Sequence, residues 1–213
     1  MEYENLLKGN RIKEVLIGAL LLMLIGVRVS VATDSVQGQK LDMILGNPAA
    51  PVTIIDYSSL TCPHCASFHS EIFPRIKEDY IETGKAKLIF REVYFDGPGL
   101  WSSMLARCLE KKQFFSIIDL LFRKQDEWSR GESQIDIVKG LISIGRQAGI
   151  SESKVLECLK DQEKAKELVS WYKNNAVMDS VQSTPTILIN GVRINDNRNY
   201  DGIRETIDSY LTD

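Results

Sequence analysis

The spacing of apolar and polar positions changes along the chain and predicts a sheet interrupted by a long helical stretch. Asp42 to Leu45 reads as a short strand, closed by Gly46-Asn47-Pro48. Val52 to Tyr57 is a continuous apolar, β-branched run, the pattern of a central strand covered on both faces. Over residues 62–82 Phe68, Ile72, Ile76 and Tyr80 recur every four residues, Phe73 widens the stripe and Gly84 ends it, which predicts a helix. Ala86 to Phe95 alternates and reads as a second strand.

From about 97 to 180 the period is helical throughout. One stripe is Trp101, Met104, Leu105, Cys108 and Leu109, and a second is Phe114, Ile117, Ile118, Leu121 and Phe122. A third is Ile135, Val138, Leu141 and Ile142. Ser151 is placed to cap a short helix carrying Val155, Leu156 and Leu159, and a fifth stripe is Ala165, Leu168, Val169, Tyr172 and Ala176. Thr186 to Ile194 reads as two strands around Asn190-Gly191, a favoured two-residue hairpin turn. A last helix is predicted over 200–211, with Ile203, Ile207 and Leu211 inward.

The order strand, helix, strand, helices, hairpin, helix predicts an α/β fold. The first strand–helix–strand unit calls for a right-handed parallel crossover, and the hairpin adds antiparallel strands to the same sheet. The expected architecture is a mixed sheet built from 42–96 and 181–213, split by an all-α insertion at 97–180.

The beginning of the chain has a different character. Lys8, Arg11 and Lys13 precede an apolar run of 13 residues from Val15 to Val27, and Ser30-Val31-Ala32 follows. Basic start, short apolar middle and small residues at the end describe a secretory signal peptide. The run spans about 20 Å as a helix, short of the hydrocarbon thickness of about 30 Å. The alternative is an uncleaved anchor from Val15 to Ala32 with Arg28 at the interface. Either way the body faces an exported compartment, after a polar leader at 33–41.

The chain has 213 residues, 44% apolar and 26% charged, enough to bury a core without a stapling metal or disulfide. A net charge of −3 gives no electrostatic case for nucleic acid, and one long apolar run excludes a multi-span membrane protein. Four cysteines, all beyond residue 32, can form two pairs where disulfides persist.

The chemistry concentrates in Cys62-Pro63-His64-Cys65, just after the predicted central strand and at the start of a helix. Free N–H groups and the positive end of the helix favour a thiolate on Cys62. Pro63 suits the first turn, and His64 adds a donor and a potential positive charge beside Cys62. Cys65, nearly one turn further in, can close a disulfide with Cys62. A reduced form whose thiolate is stabilised makes such a pair oxidising. The competing reading is half of a zinc site, with Cys108 and Cys158 or His64 and His69 completing it.

Thr184-Pro185 opens the later strand. A proline there cannot join the ladder, and a cis Thr184–Pro185 bond would set a bend against the Cys62 sulfur and offer the Thr184 backbone to an extended peptide. Cys108 and Cys158 are either two buried thiols or a disulfide joining helices; a bond would close a loop of about 50 residues.

Together, Cys-Pro-His-Cys after a strand, a helical insertion, and Thr-Pro before Thr-Ile-Leu-Ile-Asn-Gly resemble the DsbA-like thiol:disulfide oxidoreductases of the thioredoxin superfamily, over about residues 42–211. The resemblance implies a thioredoxin-like sheet with an inserted helical domain and a periplasmic oxidase that needs no cofactor beyond its redox disulfide. Cys62 would form mixed disulfides with substrate cysteines and Cys65 would resolve them. The implied partners are cysteine-containing unfolded exported proteins and a quinone-linked membrane oxidase that recycles the pair. A cis-proline at Pro185 is part of that expectation, as is a disulfide in the helical domain like that of a subset of the family. Asp56, six residues before Cys62, matches a buried carboxylate that aids proton transfer from the resolving cysteine; otherwise it is a solvated strand-end acid. His69 is one turn beyond Cys65, where some members have Glu, and reads as helix surface or as a residue behind the site.

Thr184 stands where well-studied oxidases often have Val and is similar to what disulfide isomerases use. That keeps an isomerase or reductase open as an alternative. Isomerases of that kind carry a separate dimerisation domain, for which 33–41 has no room, so a monomer is expected. A metal-binding thiol adaptor and a membrane-tethered chaperone are the rivals from other classes.

Overall fold

The structure is a computed structural model and describes residues 41–197 and 199–212. The predicted signal peptide or anchor and most of the leader lie outside the described residues. Five strands form one sheet in the order β1-β3-β2-β4-β5: β1 (Met43–Gly46), β2 (Val52–Ser58), β3 (Ala86–Glu92), β4 (Thr186–Ile189) and β5 (Val192–Arg193). β2 is central, as its largely apolar, β-branched run requires. It pairs in parallel with β3, from Val52 with Ala86 to Ser58 with Glu92, and antiparallel with β4, from Ile54 with Ile189 to Tyr57 with Thr186. Asn190 and Gly191 take φ of 47° and 84°, the two positive values a twisted two-residue hairpin needs.

The crossover helix α1 runs from Pro63 to Ile81 and alternates α-turns (Pro63–Ser67, Phe73–Ile76) with π-turns (Phe68–Ile72, Lys77–Ile81). The sequence pattern explains this. A stripe repeating every four residues drifts around a 3.6-residue helix, and turns closed by i→i+5 bonds, such as Glu82 N–H to Lys77 O at 2.9 Å, bring it back into phase. Phe68, Ile76 and Tyr80 are buried as a result. Pro74, which lacks an N–H, is the second residue after the first π-turn.

Between β3 and β4 lie α2 (Gly97–Ala106), α3 (Lys111–Arg123), α4 (Gln125–Ser129), α5 (Gln134–Gln147), α6 (Glu152–Leu159) and α7 (Gln162–Met178); α8 (Tyr200–Ser209) closes the chain. The α3 stripe is wholly buried, and Ser151 Oγ caps α6 by accepting from Lys154 N–H. Three stripes differ from the expected pattern. In α5 the buried line is Ile137, Leu141 and Ile144, while Ile135, in the first turn, is 67% exposed. In α7 the buried residues are Leu168, Trp171 and Asn175, because Trp171 lies against the Arg107 guanidinium and Asn175 O accepts from Tyr57 Oη. Cys108 and Leu109 fall in the turn after α2 rather than on that helix.

One core joins sheet and helices: Val52, Ile54 and Phe90 pack in the same cluster as Phe68, Phe114, Leu121 and Trp128. The other face of β2 is covered by a smaller cluster of Tyr57, Val93 and Leu188, with Tyr172 against it.

Candidate active site

Because β2 and β4 are antiparallel neighbours, the end of one and the start of the other meet at the same edge. That edge brings Cys62, which follows β2, to Thr184-Pro185, which precedes β4. Cys62 is the N-cap of α1 with Pro63 in the first turn, and its extended backbone lets its carbonyl accept from Cys65 N–H at 3.1 Å and Ala66 N–H at 3.2 Å. Thr184–Pro185 is cis, and Cys62 Sγ lies 3.7 Å from the Thr184 carbonyl oxygen.

Cys62 and Cys65 are free thiols, the first half-buried and the second buried. Their environments drive their ionisation apart. The Cys65 thiol donates to Cys62, and the Thr184 side chain and the backbone N–H groups of Cys65 and His64 add to it, so the Cys62 thiol is lowered to about 5 despite burial that opposes the shift. Cys65 moves the other way: burial first, then its bond to Cys62 and the charges of Cys62 and Asp56, raise it far above the usual thiol range. One sulfur is thus a thiolate at neutral pH while its partner keeps its proton. His64 is exposed, and its contribution to Cys62 is made by its backbone N–H.

Residues 39–209 match the model of the family described as Thioredoxin. A putative protein-disulfide oxidoreductase of Rickettsia bellii is 32% identical over 171 residues, which is 80% of this chain and 64% of that protein. Disulfide bond formation protein D of Bacillus subtilis is 32% identical over 188 residues, 84% of this chain and 82% of that one. The crystal structure of Wolbachia pipientis alpha-DsbA1 superposes with a TM-score of 0.74 at 27% identity, covering 83% of this chain and 96% of that one. Oxidised BdbD of Bacillus subtilis gives 0.72 at 28%, covering 82% and 95%. The chain belongs to the DsbA-like thiol:disulfide oxidoreductases of the thioredoxin superfamily. It spans under two thirds of the length of the Rickettsia relative.

Behind the dithiol of this DsbA-like chain, Asp56 is fully buried and accepts from Ser58 Oγ at 2.5 Å. Its other oxygen lies 2.8 Å from His69 Nε2. His69 is therefore no surface residue: its side chain is 6% exposed and its ring stacks on Phe122 at 4.2 Å. Cys108 and Cys158 are disulfide-bonded to each other, and among the described residues no group of three or more metal-ligating side chains gathers.

Two residues that hold the site have no motif to announce them. Gln125, buried at the start of α4, donates through Nε2 to Leu60 O at 2.8 Å and to Cys62 O at 3.1 Å. Asp96 caps α2 by accepting from Gly99 N–H at 2.7 Å and also accepts from Thr61 Oγ1 at 2.9 Å. A Cβ on Gly99 would come within 3.0 Å of that carboxylate, so glycine permits the close approach. Gln125 could be suspected only from its place three residues before the buried Trp128. Truncating Gln125→Ala strips a donor from buried carbonyls, a loss of about 1–3 kcal/mol. Urea unfolding of the reduced protein should show it; an unchanged midpoint would mean that the amide is not the anchor.

Proposed function

We propose that this DsbA-like protein is an exported dithiol oxidase that passes the Cys62–Cys65 disulfide to cysteine pairs of unfolded or partly folded exported proteins. A substrate thiolate attacks Cys62 Sγ, and Cys65 leaves and takes up a proton. A second substrate thiolate then attacks the substrate sulfur of the mixed disulfide, and Cys62 departs as a thiolate. The substrate gains a disulfide and the enzyme is left as the reduced dithiol. Pro185 and the Thr184 backbone present an extended substrate strand to Cys62, and a single copy carries all of these groups. Export through residues 1–32 to a bacterial periplasm and recycling by a quinone-linked membrane oxidase complete the reading. The names of the Bacillus and Rickettsia relatives support this chemistry.

The observation that carries the proposal is the placement of Cys62 at the N-terminus of α1, 3.7 Å from the Thr184 carbonyl oxygen and against Cys65, surroundings that lower its thiol to about 5. At pH 7 such a group is two decades past its midpoint. At about 30 mV per decade this raises the reduction potential by at most about 60 mV, less the part that water screens at a half-exposed sulfur. Added to a thioredoxin-like potential of about −270 mV this alone reaches about −210 mV, so equilibration with glutathione should put the pair clearly above about −270 mV; a value near −270 mV would make it a reductase.

The same ionisation links redox state to stability. Cys62 titrates lower in the folded reduced protein than in the unfolded chain, near 9. Its stabilisation is complete above pH 9, declines as the pH falls and is gone below about 5. Cys65, held protonated, adds nothing in that window. The melting temperature of the reduced protein, minus that of the oxidised protein, should rise from pH 5 to pH 8. A flat difference would remove the thiolate from the account.

The contact of Thr184 with Cys62 favours a second reading, a disulfide isomerase or reductase. Refolding of a scrambled multi-disulfide substrate separates the two, since an oxidase leaves the scrambled bonds in place.

A further inference from the structure

We propose that His69 is the positioning partner that keeps the buried Asp56–His69 pair electrically neutral while Asp56 exchanges a proton with Cys65. The role rests on the thiol–disulfide exchange proposed above. A carboxylate with no exposure at all is costly to charge and discharge alone, because each change of charge occurs without water to answer it. Here His69 Nε2 stands 2.8 Å from Asp56 Oδ2, while Ser58 occupies Oδ1. The groups facing the pair are few. From β2 come Asp56 and Ser58; α1 contributes Cys65, whose ionisation feels the charge of Asp56. Phe68 and Phe73 of α1, Phe90 of β3 and Phe122 of α3 wall in the imidazole with rings alone. His69 belongs to the first π-turn, a kind of turn that often marks functional positions.

The step balances as follows. In the mixed disulfide Cys65 carries its proton, Asp56 is a carboxylate and His69 an imidazolium, so the pair is neutral. Cys65 gives its proton to Asp56, and its sulfur attacks Cys62 Sγ. The Cys62–Cys65 bond forms, and the bond from Cys62 to the substrate sulfur breaks, that sulfur leaving with the electron pair. As Asp56 becomes the neutral acid, His69 keeps Nε2–H toward it and releases its Nδ1 proton to water, which reaches 6% of the side chain. The pair is again neutral. In the reverse direction, when a thiolate opens the disulfide, Asp56 protonates the departing Cys65 sulfur and His69 takes a proton from water.

The test uses the whole protein and glutathione as the thiol, so it does not depend on whether the protein is an oxidase or an isomerase. Cys62 is loaded with glutathione at low pH, and release of glutathione by Cys65 is followed in single turnovers from pH 5 to pH 8. H69Q and H69F should be at least about tenfold slower at pH 7 and lose one ionisation from the profile; a positioned proton transfer contributes about 10²- to 10⁴-fold, and His69 acts on it through Asp56. The rate of Cys62 alkylation against pH should be unchanged in both. The double variant D56N/H69Q should be no slower than D56N. On the unmutated protein, the ring nitrogen NMR signals of His69 at pH 7 should be those of imidazolium in the reduced state and of neutral imidazole in the disulfide state. The proposal is overturned if H69Q and H69F keep the wild-type rate and profile. It is equally overturned, with no variant needed, if the ring holds the same charge in both redox states.

Discussion

Cys65→Ala protein is expected to accumulate mixed disulfides on Cys62 and to complete no catalytic cycles. Cys65 is buried beside Cys62 and donates to it, which is the arrangement of an intramolecular nucleophile held at its target. Well-oriented intramolecular groups act as if present at about 10⁵ M or more. With millimolar external thiol as the remaining resolver, release of the adduct should slow by at least about 10³-fold. A second effect follows from the same contact. The Cys65 thiol is the largest cause of the low Cys62 value, so its removal should move the Cys62 titration up from about 5 toward the ordinary thiol near 9. Incubation with the disulfide-linked dimer of a single-cysteine peptide, from which Cys62 takes one peptide while the other leaves as a thiolate, followed by non-reducing mass analysis, measures the first; thiolate absorbance against pH measures the second. If the adduct turned over at the wild-type rate, or Cys62 still titrated near 5, the division of labour between the two sulfurs would be wrong.

The Cys108→Ser, Cys158→Ser protein should melt well below the parent while keeping its redox dithiol. The bond ties the turn after α2 to the end of α6 across 50 residues, a loop holding α3, α4, α5 and most of α6. Closing a loop of that length restrains the unfolded chain by about 4 kcal/mol in the chain-entropy account. For a chain of this size that corresponds to a fall of about 8–16 °C in melting temperature. The comparison is made with Cys62 and Cys65 in the same redox state in both proteins. A change below about 1 kcal/mol would show that the packing of α5 on α6, where Gly145 leaves Val155 no room to spare, already holds the block together. Glutathione equilibrium of the variant should give an unchanged Cys62–Cys65 potential, since neither Cys108 nor Cys158 is among the groups acting on Cys62.

What could be read without coordinates was local or periodic. The apolar run of Val52 to Tyr57 needs cover on both faces, and β2 has it. Asn190-Gly191 allows two positive φ values in succession, and the chain turns there. The two cysteines at the head of a helix, with a proline inside the first turn, carry their chemistry in their spacing, because N-terminal N–H groups and a neighbouring thiol act over a single turn. The four-residue stripe of α1 also held information that went beyond its burial: a period longer than 3.6 anticipates the π-turns.

Tertiary structure alone decided which polar residues are hidden and what answers them. Helical periodicity leaves His69 as surface or interior, and the matter is settled by a carboxylate 13 residues earlier, on a strand, and an aromatic ring 53 residues later. Gln125 and Asn175 look like solvated helix positions, yet each is buried with its amide bonded to backbone. The exposure of Ile135 and the burial of Trp171 run against the predicted stripes because neighbouring helices, not the period, determine which flank of an apolar stripe meets the core. The sequence by itself therefore determined the sheet, the helices and the pair of reactive sulfurs. Their ionisation and the buried groups around them depend on side chains brought together from distant segments, since burial and hydrogen bonding act through space and leave no period along the chain.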